Sequence, residues 1–241
     1  VIAARSSQVV SRLQQEILDG TFPPDSPLRE MTLAERYAVS RRTIREALLV
    51  LSDQGLAVHR HNTGAVVRSF GEDDISDLYR VRRMLECEGA RCSSGAAEYL
   101  LAAVQEAFGK LELASHEGVW SVDLARADMA FHGAVIALSD SPRINEFYGR
   151  IGSQMTFAIT LLQQSEQANA INSHSIVAEH RAILDAVLNR DVYGAQRLIL
   201  EHIATHEGTL LSLVTASGRR GRSATRSGEQ EPAAVGAGLY A

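Results

Sequence analysis

Asp128 and His132 lie four residues apart in the stretch ARADMAFHGAVI, residues 125–136. On a helix that spacing is just over one turn, so a carboxylate and an imidazole leave from one face and could close on a single ion. Two more histidines stand in helical, apolar surroundings, His180 in AEHRAILDAVLNRD and His202 in LILEHIATHEGTLL. Imidazole nitrogens with one carboxylate oxygen suit zinc, nickel, iron or manganese and leave coordination positions open. Spacing alone leaves the alternatives open. Any one of these histidines could be an ordinary core or surface residue, and His202 with His206, again four apart, could bind an ion by themselves.

A second concentration of chemistry sits near the N-terminus, where Arg41, Arg42, Thr43 and Arg45 crowd the start of a helix that Ser40 can cap through its hydroxyl. All four are expected to face outward. Three arginines at the positive end of their own helix dipole are locally unfavourable, so a solvated helix start, with Arg42 paired to Glu46, accounts for them poorly. A helix that reads DNA accounts for them better, because its first residues meet base edges, where arginine forks pair with guanine and Ser or Thr reaches bases and phosphates.

The elements that must position these groups follow from periodicity. An apolar stripe through Val9, Val10, Leu13, Ile17 and Leu18 predicts a helix that stops at Gly20. The segment PPDSPL is read as a loop, because prolines break helices and strand ladders alike. Two short helices follow, near Met31–Tyr37 and Ser40–Gln54, and then two strands, Leu56–Arg60 and Ala65–Arg68, joined by a turn at Asn62, Thr63 and Gly64. Small Ala34 allows close approach of the two helices, with Leu33, Val39, Ile44, Leu48 and Leu51 as their apolar skeleton: a helix-turn-helix followed by a two-stranded wing. After a polar hinge at 70–74, a long helix opens with Asp73 or Asp74 as its cap. From there to Val214 almost everything has helical period, with breaks near Gly95, Gly118, Ser139–Pro142, Ala168–Ser173 and Asn189–Asp191, giving about six helices. No alternating strand pattern appears. The fold class is therefore mostly α, an N-terminal winged helix-turn-helix before an all-α bundle.

Charge is divided the same way. The net charge of −5 separates into +2 over residues 1–70, −9 over 71–217 and +2 over 218–241. A basic front on an acidic body suggests two domains with different partners, the first of them polyanionic. No stretch approaches eighteen uncharged apolar residues, and Glu16 and Asp19 fall where an export signal would have its apolar core, so a cytoplasmic protein without a membrane partner is expected. Cys87 and Cys92, five apart, match no zinc or redox spacing and are read as buried reduced thiols.

LREMTLAERYAVSRRTIREALLVLSDQGLAVHRHNTGAVV closely resembles the winged-helix domain of GntR-family transcription regulators, in its LAE helix, its VSR-x-x-[VI]-REAL core and its R-x-x-x-G-x-x-V wing. The resemblance runs from about Gln8 to Arg68 and implies contacts to double-stranded operator DNA from Ser40, Arg41, Thr43, Arg45 and Gly64, with Arg42 an additional reader. Some relatives carry an arginine where this chain has Met31. DMAFHGAVIALSDSPRINEFY, LYRVRRMLECEGAR and HRAILDAVLNRDVYGAQRLILEHI are similar to the FCD domain of the FadR subfamily, in its six-helix, VanR-like form. In metal-containing members the ligands map onto Asp128, His132, His180 and His202. The resemblance thus implies a divalent transition metal, a small organic acid as effector, and a homodimer whose half-site spacing responds to it. Arg82 could clamp the acid, or simply pair with Glu86 one turn on. The expected division is a DNA-binding domain (1–70), an effector-binding and dimerisation domain (71–217) and a disordered tail (218–241). The expectation is a regulator and no enzyme. Its rival is a metal-dependent hydrolase or lyase acting on a small organic acid.

Overall fold

In the computed structural model, residues 2–116, 121–163 and 173–227 are described, and the account below concerns these residues. Helix α1 (Ile2–Leu18) buries the predicted stripe of Val9, Val10, Leu13, Ile17 and Leu18 against α3. Helices α2 (Glu30–Tyr37) and α3 (Arg41–Asp53) are joined through Ala38, whose left-handed backbone (φ 52°) turns its N–H back onto the carbonyls of Ala34 and Glu35. Ser40 caps α3 as expected, its hydroxyl oxygen accepting the Thr43 N–H at 3.1 Å. Ile44, Ala47 and Leu51 are fully buried, so the helix-turn-helix closes on the skeleton read from the sequence.

Strands β1 (Ala57–Arg60) and β2 (Gly64–Val67) form the antiparallel wing, with Ala57 opposite Val67. Gly64 at its tip has φ 80°, and a side chain there would meet open space, so the backbone angle and not crowding calls for glycine. The proline-rich segment differs from the loop expected of it. Leu28 N–H donates to Ala65 O (2.8 Å), Val67 N–H to Ser26 O (3.0 Å), and Pro27 bridges Val66, so it lies along β2 as a partial third strand. Proline is tolerated because the segment is an edge.

Helix α4 (Glu72–Cys92) begins two to three residues earlier than predicted. Asp74 accepts the Gly71 N–H at 3.0 Å from the third helical position, which places the cap at Gly71. A 3-10 turn at Ser93–Gly95 follows, then α5 (Glu98–Ala114), α6 (Val122–Ala137), α7 (Pro142–Gln163), α8 (Ser173–Leu188) and α9 (Val192–Ser227). Pro142 opens α7 after the left-handed Asp140, and α8 and α9 meet at left-handed Arg190, both at predicted breaks. The breaks expected at Gly118 and within 164–172 lie outside the described residues. Helix α9 continues to Ser227, ten residues into the expected tail, and 228–241 lie outside the described residues. Cys87 and Cys92 are free thiols, half-exposed on α4 and not buried, because that face of the helix is only partly covered.

The approach of α4 to α6 fixes the interior. At Gly89 an added Cβ would stand 2.3 Å from Val135 O and 2.8 Å from Ile136 Cα, so the two backbones are in contact there. One turn before this crossing, Glu86 on α4 and His132 on α6 come face to face. Helix α7 serves both halves of the molecule. Met155, Ala158 and Ile159 pack in the bundle, while Phe157 is fully buried among Leu13, Ile44 and Val67, edge-on to Phe70 at 5.6 Å between centroids.

Candidate metal centre

Asp128 and His132 share one face of α6, whose start is capped by Ser121 accepting the Leu124 N–H at 3.1 Å. His180 reaches them from α8 and His202 from α9, so one donor atom from each of the four lies within 4.8 Å of the others. His180 Nε2 is 2.9 Å from Asp128 Oδ1 and 3.1 Å from His132 Nε2. Phe131 walls the cluster, its ring edge-on to His132 (5.6 Å) and His180 (5.0 Å). The convergence of three helices expected from the sequence is present in the fold.

Every imidazole is anchored at its other nitrogen. His132 Nδ1 meets Glu86 Oε2 at 2.8 Å, His180 Nδ1 meets Ile176 O at 2.7 Å, and His202 Nδ1 meets Glu179 Oε2 at 2.8 Å. These partners only accept, so each Nδ1 donates its proton to them and each ring turns its Nε2 inward. Burial, followed by the nearby Arg82 guanidinium, lowers His132 from 6.5 to about 4. Burial and the neighbouring imidazoles likewise hold His202 well below 6.5, against the pull of Glu179. Burial works against the Asp128 carboxylate, but His180, His132 and Arg82 outweigh it and keep it ionised. Imidazole Nε2 atoms and a carboxylate oxygen therefore face one another at contact distance, away from water. Such a set repels itself unless a proton or a cation sits among its members. Three imidazoles and one carboxylate, each oriented from behind, are the donor set of a transition-metal site, and the residues fit one.

Arg82, fully buried on α4, makes the pair with Glu86 that was one of the two readings left open by the sequence. Its Nε donates to Glu86 Oε1 at 2.6 Å, while its Nη2 is buried without a hydrogen-bond partner. The Tyr79 hydroxyl, one turn earlier on α4, is also buried and unpartnered. Glu86 thus ties Arg82 to His132, and Arg82 followed by His132 holds its carboxylate down at about 2 despite burial. Spacing offered Glu86 only as a partner for Arg82. Its other oxygen reaches across 46 residues, a contact with no local signature, and the same holds for Glu179 behind His202.

At the helix-turn-helix, Arg41, Arg42 and Arg45 are exposed, as expected. Glu30 at the start of α2 takes both Nε and Nη2 of Arg45 (3.0 and 2.9 Å) and Nη2 of Arg41 (3.3 Å). Arg45 above all draws the Glu30 carboxyl down to about 2. Arg42 pairs with Glu46 at 3.0 Å. Thr43 departs from the outward position expected of it. It is buried, its hydroxyl 2.9 Å from Ser40 Oγ, because it shares the inner stripe with Ala47 and Leu51 at four-residue steps. Gly64 stands at the wing tip beside Arg60, which pairs with Asp25.

Residues 77–205 match the family described as the FCD domain, and residues 5–67 match the gntR family of bacterial regulatory proteins. The HTH-type transcriptional regulator BphR of Paraburkholderia xenovorans LB400 is 30% identical over 203 residues, covering 80% of this chain and 79% of that protein. The galactonate operon transcriptional repressor of Escherichia coli K12 is 26% identical over 227 residues, covering 83% and 94%. Among solved structures, a GntR transcriptional regulator of Rhodococcus sp. RHA1 superposes with a TM-score of 0.72 at 26% identity, over 87% of this chain and 98% of the other.

Proposed function

Because the chain belongs to the GntR family of bacterial regulators, with an FCD domain behind its DNA-binding helix-turn-helix, we propose that it is a metal-dependent sensor of a small carboxylate that adjusts operator binding. It is a transcriptional regulator, like its relatives, and not an enzyme; nothing favours the rival hydrolase or lyase. No helix among the described residues is long and apolar enough to cross a membrane. The DNA-binding domain spans 1–70 and the sensing and dimerisation domain 71–217, in a cytoplasmic homodimer of the FadR subfamily.

The observation that carries the sensor reading is the cluster of inward ligand atoms beside buried donors that lack partners. Asp128, His132, His180 and His202 hold a divalent transition metal, zinc, nickel, iron or manganese, which supplies a Lewis-acidic centre with positions open to a carboxylate. The chain itself supplies the rest. Arg82 Nη2 and the Tyr79 hydroxyl donate to the acid's other oxygens, and a buried donor that gains an acceptor is stabilised by more than an exposed one. Coupling of about 1–3 kcal/mol between acid and operator suffices for a switch. Native mass spectrometry of the full chain purified without chelator is expected to show one metal per chain, and a carboxylic acid retained or bound on addition. A chain that stays metal-free after incubation with each of the four ions would end this reading.

For the operator, Ser40, Arg41, Arg42, Thr43, Arg45 and Gly64 are assigned to the interface. Thr43 acts from within by holding the Ser40 cap. Arg41 and Arg45 exchange Glu30 for DNA. Arg45→Ala is expected to weaken specific binding by about 1–3 kcal/mol per half-site, measured against random DNA at the same salt. Equal losses on both DNAs would make Arg45 a phosphate contact.

A further inference from the structure

The four-residue cluster is sealed, with side-chain exposures of 0–6% at Asp128, His132, His180 and His202. A site so enclosed needs a way in for its ion. Among the described residues, the half-open polar groups that adjoin it are Glu179 on α8 and His206 on α9, whose side chains are 39% and 22% exposed. Glu179 Oε2 accepts the His202 Nδ1–H and lies 3.5 Å from His206 Nε2. That Nε2 is itself shut off from water and, beyond this long ion-pair contact, makes no hydrogen bond. The His202 and His206 rings are 4.3 Å apart, and His202 is 4.6 Å from His180 on its other side. His202 is therefore a partition with one edge on the buried cluster and the other on the outer pair.

We propose that Glu179 and His206 form an outer capture site for a divalent transition metal, through which the buried cluster is loaded and emptied. The proposal rests on the metal reading above and adds a route to it. A carboxylate and an imidazole give an incoming ion two protein ligands, with water completing its shell. Such a site binds weakly and exchanges quickly, as suits a site that passes its ion on rather than storing it. His202 and His206, one turn apart on α9, then present consecutive imidazoles along the way inward. The plainer account makes Glu179 only the orienting partner of His202 and an ion-pair neighbour of His206; it leaves the enclosed Nε2 with nothing closer than that 3.5 Å contact.

Cobalt(II) distinguishes the two accounts, because its absorption reports entry into a protein site. Full-length metal-free protein is mixed rapidly with cobalt(II), and loaded protein with EDTA, for the unsubstituted chain and for His206→Ala and His206→Asn, with thermal melts to verify folding. Uptake and extraction are both expected to slow by the same factor, about tenfold, with one cobalt per chain still bound at the end. Unchanged rates in both variants would overturn the proposal. So would weaker final binding with unchanged uptake, which would make His206 a positioning group for the buried site. An unsubstituted chain that takes up no cobalt would overturn both this route and the metal reading, whereas a failure confined to the His206 variants leaves the metal reading intact.

Discussion

Asp128→Ala is expected to empty the buried cluster, lowering metal affinity by more than about 100-fold, since even removing a group that merely orients a ligand costs 10–100-fold. Asp128 is the single anion among the four, and its Oδ1 stands 2.9 Å from His180 Nε2. Without it three imidazoles remain with no anion among them, a set with far less attraction for a divalent ion. Metal per chain, measured by elemental analysis, reads the effect directly. A melt and an operator-binding assay then separate two roles for the ion. If it senses, the variant folds and binds operator but ignores the acid. If it only braces the bundle, the variant melts before the assay can be made. An unchanged metal content would exclude Asp128 as a ligand.

The largest loss of stability is expected at Arg82. Arg82→Met keeps the buried volume near constant but leaves Glu86, fully buried, with only the His132 N–H for its charge. Removing one partner of a buried ion pair costs about 3–5 kcal/mol, read by denaturant unfolding. The sign with pH follows from the pair. In the native chain Glu86 titrates near 2, below its ordinary 4.5, so its contribution is full above 4.5 and fades as the pH falls towards 2. In Arg82→Met the folded carboxyl is pushed upward, so the deficit is small below pH 2, where the carboxyl is protonated in both proteins, and grows as the pH rises from there. Arg82→Met with Glu86→Gln should recover much of the loss, because no buried charge is then left alone. A single variant as stable as the native protein would show that the pair contributes nothing.

Local chemistry was legible in the sequence and distant chemistry was not. The Ser40 cap, the skeleton of Ile44, Leu48 and Leu51, the Gly64 turn and the breaks at Ser139–Pro142 and Asn189–Asp191 are decided within a few residues of themselves, and each is found where it was expected. Thr43 was assigned to the outer face by association with its arginine neighbours, although its four-residue step to Ala47 already placed it inside. Pro27 was excluded from strand pairing by a rule that holds for central strands and lapses at an edge. Asp128 and His132 announced themselves by spacing. Their meeting with His180 and His202 needed either the fold or the family resemblance, and Glu86 and Glu179 needed the fold.

Phe157 belongs by sequence to the helical half, yet its ring completes the core of the reading head against Phe70. A fragment ending at the hinge would therefore carry an aromatic-sized hole where native packing allows none. Such a fragment is a poor stand-in for how the intact molecule grips its operator. The same ring seats α7 directly against the N-terminal core, so a displacement of this helix would have to repack the residues around Phe157.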